Sequence, residues 1–491
     1  MVERITEINN KREYRRIAVV LSSLLYISVS TFMLVKYYMA YAIDEFYALA
    51  SLNPTAENVY RRHPYINNMV KWLGEHIDDN YYVGKIIPYV AGIMCFVFIM
   101  LMLVMMCRTN FAVILGGVAY SFNSLILFNH VYIRHYVFAE LAFIMFAAGL
   151  YVFYSKKGHV AFRIIMLVLG CLADCLYITK TNDDSIWGFE MFTVVVVVFL
   201  LLHKCVYFII NKKNIRIAIV CFILLILSCC VVFFGNVNLM QIIPPVFRVK
   251  FEQFKGDIPV FWCFAICVFS YVIAALIAYM FSDNYNRMRE LFPVWILVFL
   301  ASAAYIVAFP YNYLVRTFTP YIGVGIVFAI AFWDTIIDRE AIRIGMACLI
   351  LLSTVLSYPE FDIRWFFTGG AGVYQETYLE NYKDIVTDMA MAKEDGYEVA
   401  SMMSFISQDY VLGIQPDYVL SELGDNNEEI VPVDEAINNI RELMSANKKV
   451  VLMTSNFAGQ ILEQEGVLQE LTSAYEYKNY NGTNQYLIYI N

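Results

Sequence analysis

Residues 41–49 read YAIDEFYAL and follow at once on an apolar run from Ile17 to Met39, so Asp44 and Glu45 stand among aromatic rings where a hydrophobic segment ends. A carboxylate in such a place can take the proton from an attacking hydroxyl, an effect worth about 10²–10⁴-fold in rate. Phe46 and Tyr47 would limit water there, and Tyr47 could stack on a sugar face. The competing reading is a solvated pair at a helix end, its tyrosine part of an interfacial aromatic belt. Cations complete the chemistry. Arg134 lies in NHVYIRHY (129–136), Lys180 in TKTNDDSIW (179–187) and Arg316 in PYNYLVR (310–316), each between apolar runs. The planar fork of arginine matches phosphate oxygens two at a time. A carboxylate with several cations on one side of a membrane suits chemistry on a lipid-linked phosphate; a snorkelling arginine is the bland alternative.

The elements that must position these residues are membrane helices. The chain has 491 residues, 60% hydrophobic and only 16% charged, with mean hydropathy +0.59. Soluble domains carry roughly 25% charged residues. About 20 apolar residues cross a bilayer, and about eleven spans are predicted, near 17–39, 84–106, 111–128, 136–154, 160–178, 189–210, 215–235, 259–281, 291–309, 315–334 and 341–358. The first run is too long for a cleaved signal and is read as a retained helix. Basic residues recur in alternate connections: Lys11 to Arg16, Arg108, Lys156 with Lys157, Lys212 to Arg216, Arg287 with Arg289, and Arg339 with Arg343. By the positive-inside rule the N-terminus is cytoplasmic and the opposite connections face out. Those hold Asp44, Glu45, Arg134, Lys180 and Arg316.

Two parts are expected: a membrane domain over 1–358, with a long first outer loop at about 37–83, and a domain over 359–491. The second holds 22 Asp+Glu against 7 Lys+Arg, net −15. That balance argues against nucleic acid, whose binding depends on neutralising phosphates. VASMMSF (399–405), KVVLMTSN (449–456) and NQYLIYI (484–490) read as strands. VDEAINNIRELMSANK reads as a helix with Asp434 at its N-cap, and FAGQILEQEGVLQEL as one amphipathic stretch. Strands alternating with helices give an α/β domain. All 11 cysteines lie between positions 95 and 348, without the paired spacing of a zinc site or a disulfide framework, and read as small apolar fillers. The expected location is a bacterial plasma membrane, and a disulfide-free exterior against 11 cysteines elsewhere favours a Gram-positive cell. HPYINNMVKWL (63–73) sets Ile66, Met69, Val70 and Leu73 on one face, an amphipathic helix for the membrane surface. His63 before it is a functional imidazole or a simple cap.

The order of these pieces resembles the GT-C superfamily of membrane glycosyltransferases, in the branch of the protein O-mannosyltransferases and the aminoarabinose transferase of lipid A. Asp44–Glu45 match an acidic pair outside the first helix, and His63–Pro64 match a His-Pro-Pro-Leu-like stretch. Arg134 with Tyr136 preserves an Arg-x-Tyr membrane-face turn, while Arg316 with Pro320 matches a late Arg-Tyr-Leu-Leu-Pro-like segment. Tyr65 replaces the second proline, and Tyr132 stands where the family has glutamate. The resemblance implies a GT-C fold with an extracytoplasmic α/β domain, a polyprenyl-phosphate-linked sugar donor drawn from membrane lipid, and a glycan, lipid or protein acceptor. Asp44 would be the base of an inverting transfer, and Arg134, Arg316 and Lys180 would stabilise the leaving phosphate. Glu45, Tyr47, His63 and Tyr136 would support the site. Related oligosaccharyltransferases hold a divalent metal through acidic loop residues. Asp183 and Asp184 offer hard oxygen ligands for Mg²⁺ or Mn²⁺, against the plainer reading of a solvated turn. The alternative function is a transporter or flippase of a lipid-linked or polar solute; no internal repeat or paired broken spans speak for it.

Overall fold

The computed structural model describes residues 12–41, 45–52, 64–77, 80–155, 158–180, 223, 291, 319–336, 345, 380–403, 406–420, 431–446, 448–480 and 484–491. The predicted spans near 189–210, 215–235, 259–281, 291–309 and 341–358 fall almost wholly outside them. Contacts divide the chain into two units. The first comprises Met1–Thr31, Val90–His130 and His135–Ile363; the second comprises Phe32–Tyr89, Val131–Arg134 and Arg364–Asn491.

The helices described up to residue 336 include α1 (Arg12–Lys36), α3 (Asn80–Met106), α4 (Asn110–Ser121), α5 (Ser124–Asn129), α6 (Tyr136–Ser155), α7 (Val160–Lys180) and α8 (Thr319–Ile336). Among the described residues, three helical stretches are long and apolar enough to cross a membrane: Glu13–Lys36, Tyr82–Met106 and Tyr136–Ser155. In α1, Ala18, Ser22, Tyr26, Ser30 and Met33 are buried, whereas Ile17, Val20, Leu21, Leu24 and Ile27 are exposed. The spacing of three and four puts each set on its own face. An apolar face turned outward is what lipid requires.

Within the first unit, α6 and α7 meet closely because two glycines let backbone touch backbone. A Cβ at Gly149 would come 2.6 Å from the Met166 carbonyl, and one at Gly170 would come 2.8 Å from that of Met145. Small residues at helix contacts are the usual device in membranes, where packing must replace the hydrophobic drive. Asp334, buried in α8, accepts hydrogen bonds from the Arg108 and Thr109 backbone N–H groups and from the Thr109 hydroxyl. Thr109 in turn caps α4 through the Ala112 N–H. The expected single span at 111–128 is instead two helices. Asn123 interrupts it by accepting from the Ile126 N–H and so capping α5. A side chain that satisfies the orphan donors of a new helix competes with continuing the old one.

The second unit joins the first loop to the C-terminal segment. Strand β1 (Ala40–Tyr41) pairs antiparallel with β2 (Glu380–Asn381), and the Tyr382 N–H donates to the Met39 carbonyl. Phe46, in the short helix Phe46–Leu49, sets its ring edge-on to Tyr382 at 5.9 Å. Helix α2 (Pro64–Gly74) starts at its proline, tolerated in a first turn, and buries Ile66 and Val70 while Trp72 is exposed.

The tail carries a five-stranded sheet in the order β4-β3-β5-β7-β6. Its strands are β3 (Glu398–Met402), β4 (Tyr418–Val419), β5 (Val450–Thr454), β6 (Glu476–Tyr480) and β7 (Gln485–Ile490). The first three are parallel; β7 runs antiparallel to both β5 and β6. Its core joins Val450, Leu452 and Ile488 to Ile440, Leu462 and Leu471 of the helices α11 (Val433–Ser445), α12 (Asn456–Gln464) and α13 (Val467–Ala474). One detail differs from expectation: Pro432, not Asp434, stands at the N-cap of α11, with Asp434 in its first turn. The amphipathic stretch FAGQILEQEGVLQEL forms α12 and α13, which part at Gly466, whose φ of +74° suits a residue without a Cβ. Helices α9 (Lys383–Glu394) and α10 (Ile406–Val411) complete the domain.

Asp409 of α10 is buried, with the Ser401 hydroxyl donating to it. Burial pushes its carboxyl up to about 7, partly opposed by the serine bond. The folded state then holds a proton that the unfolded chain sheds near 3.8. The stability this proton contributes is complete below that value and is lost as the pH climbs to about 7. Asp409→Asn removes the titration, so its stability relative to wild type is expected to rise across that window, by on the order of 4 kcal/mol at pH 8. Thermal melts at pH 5 and pH 8 read this; an equal difference at both pH values would refute it.

Candidate functional site

The best-defined cluster of charge in the second unit is built around Glu45. Both Glu45 and Lys85 are wholly buried, and the Lys85 ammonium donates to the two Glu45 oxygens at 2.9 and 3.2 Å. Its remaining donor goes to the Val131 carbonyl at 2.9 Å, and it lies 4.4 Å from the centre of the Tyr41 ring. Glu45 Oε1 also accepts from the Ile133 N–H at 2.9 Å. One ion pair therefore grips the turn between α5 and α6 from both sides, at the carbonyl of residue 131 and the amide of residue 133.

The chain neighbours give the clamp its meaning. Asp44 directly precedes Glu45, and Arg134 directly follows Ile133. The Arg134 backbone N–H closes the turn on the Tyr132 carbonyl at 2.8 Å, and the residue is buried. The segment carrying the expected base is thus tied to the segment carrying the expected phosphate ligand. Leaving either partner of a desolvated pair alone costs about 3–5 kcal/mol, so the clamp is stiff. Gly84 beside Lys85 makes room for it: a Cβ there would come 3.1 Å from the Leu49 side chain and 3.2 Å from the Tyr41 ring.

Other expected site residues are placed as follows. Tyr136 opens α6 and is buried. Tyr47 lies in the short helix Phe46–Leu49, and Lys180 ends α7; their side chains lie outside the described residues. So do Asp44, His63, Asp183, Asp184 and Arg316. Sequence reasoning missed Lys85. The signal was present, since an ionisable residue at the head of an apolar run is costly and marks pairing or function.

No protein-family model matches the chain, and no curated protein sequence matches it. Solved structures do. ArnT from Cupriavidus metallidurans bound to undecaprenyl phosphate superposes at a TM-score of 0.50 with 10% identity, covering 95% of this chain and 97% of that one. The apo form of the same protein gives 0.48 at 12% identity, over the same shares. The Archaeoglobus fulgidus oligosaccharyltransferase, tethered to an acceptor peptide containing the NVT sequon, gives 0.42 at 12% identity over 98% of this chain and 74% of its own. The fold conclusion rests on the first of these. This chain shares the overall fold of that protein.

Proposed function

We propose that this protein is a membrane glycosyltransferase that moves a sugar from a polyprenyl-phosphate donor to an acceptor hydroxyl. The observation that carries the reading is the Glu45–Lys85 clamp, which ties the segment holding Asp44 to the turn holding Arg134. The shared fold with a protein solved bound to undecaprenyl phosphate supports it. In this reading the 1–358 and 359–491 segments are the membrane and soluble domains. The site faces the outside of a bacterial plasma membrane, with the N-terminus cytoplasmic and the −15 tail extracytoplasmic.

Asp44 takes the proton of the acceptor hydroxyl as its oxygen bonds to the anomeric carbon. The bond from that carbon to the phosphate oxygen breaks, and its electron pair leaves with polyprenyl phosphate, so the centre inverts. Negative charge grows on the leaving oxygen, where Arg134, Arg316 and Lys180 act. Cations set in advance at that place lower the barrier because their attraction strengthens in the transition state. Glu45 keeps its neighbours in place, while Tyr47, His63 and Tyr136 shape the sugar and acceptor sites. Asp183 and Asp184 would be the ligands of any Mg²⁺ or Mn²⁺. The acceptor is a surface glycan, a glycolipid or a protein.

Arg134→Ala is expected to slow release of polyprenyl phosphate roughly 10²-fold, as loss of one preorganised donor does elsewhere. Arg134→Lys should recover part of the rate, because it restores the charge without the fork. The assay uses purified protein in detergent with short-chain polyprenyl-phosphate sugars. An Arg134→Ala rate equal to wild type would take the arginine out of the site. Donor that crosses a reconstituted bilayer intact, with no release, would point to the flippase instead.

A further inference from the structure

Inside the first unit, three side chains of metal-binding type converge among buried helices. Cys95 of α3, His130 immediately after α5 and Glu140 of α6 are all buried, and one ligand atom of each lies within 4.8 Å of the other two. His130 Nε2 faces Glu140 Oε2 at 3.2 Å, while its Nδ1 pairs with the Tyr26 hydroxyl at 2.9 Å. The Tyr120 hydroxyl donates to Glu140 Oε1 at 2.7 Å. Ligating histidines and carboxylates are oriented in this way, each through its second heteroatom.

Space has been made for the cluster. A Cβ at Gly92 of α3 would come 2.6 Å from the His130 ring. One at Gly323 of α8 would come 3.0 Å from the Tyr120 ring and 3.2 Å from Glu140 Oε1. Charge points the same way. A carboxylate within an apolar helix is costly unless it is compensated. A thiolate, a carboxylate and a neutral imidazole together balance a dication to zero. Mixed sulfur, nitrogen and oxygen ligands suit zinc rather than magnesium. Bonds of about 2.0–2.3 Å put tetrahedral zinc ligands roughly 3.3–3.8 Å apart, so closure from the observed spacing needs a movement of about 1 Å.

We propose that Cys95, His130 and Glu140 bind one zinc ion that rivets α3 and the start of the α5–α6 turn to α6, leaving one tetrahedral position for a small ligand such as water. The site does not depend on the sugar-transfer reading. It is tested on full-length protein carrying a tag without histidine, purified in detergent without chelator after expression with Zn²⁺ or with Co²⁺. The expected results are one zinc per chain and, in the cobalt form, a thiolate-to-cobalt charge-transfer absorption. Both should be lost in Cys95→Ser, which keeps the side-chain volume, and zinc content should fall in Glu140→Gln. The cobalt spectrum is read on wild type, so poor folding of a variant does not remove the test. Wild type without zinc and without the absorption would overturn the proposal. So would equal metal and absorption in wild type and Cys95→Ser, since the chain has 11 cysteines.

Discussion

Lys85→Met is expected to unfold the second unit at lower temperature and to slow transfer at the same time. The substitution leaves the Glu45 carboxylate buried without its cation and frees the Val131 carbonyl from the Lys85 ammonium. Breaking such a pair by removing one partner costs about 3–5 kcal/mol. Adding Glu45→Gln removes the second charge and keeps an oxygen able to accept from the Ile133 N–H. The double variant should therefore be more stable than Lys85→Met alone, with a coupling energy of roughly 0.5–3 kcal/mol. Melting of the wild type, both single variants and the double variant closes the cycle. A Lys85→Met protein as stable as wild type would show that the pair does not hold the turn.

Asp44→Asn carries the other large effect, a fall in transfer rate of about 10²–10⁴-fold, with folding unchanged. Asparagine keeps the size of the side chain and cannot accept the acceptor's proton. Glu45→Gln separates chemistry from position. It should cost stability through the clamp, and whatever activity survives should keep its pH profile, because Glu45 is wholly buried and engaged with Lys85 and Ile133. A pH profile that moved with Glu45→Gln while ignoring Asp44→Asn would exchange the roles of the two carboxylates.

Long patterns were legible in the sequence and local competitions were not. The apolar runs of α1, α3, α6 and α7 announce themselves by length, and β3, β5 and β7 by short apolar β-branched stretches. The break at Asn123 was hidden inside a long, largely apolar run, and the capping side chain decides it. Strand β6, EYKNY, is polar along most of its length because it lies at a sheet edge, so no alternation marks it. The chemistry divides in the same way. Asp44, Glu45 and Arg134 stand out as polar residues where apolar segments end. Lys85 was absorbed into a hydrophobic run, and its pairing with Glu45 joins residues 40 apart. The Cys95, His130 and Glu140 cluster was illegible for the same reason: two helices and the turn after α5 bring its members together, and no spacing along the chain records that.

The most direct measurement follows polyprenyl phosphate released from short-chain polyprenyl-phosphate sugars by purified protein, with a crude membrane extract as the source of acceptor. Sugar transfer is predicted to release one polyprenyl phosphate for each sugar moved, in wild type and not in a well-folded Asp44→Asn protein. No release from any donor would contradict the assignment as a glycosyltransferase, and release undiminished in Asp44→Asn would contradict the assignment of its base.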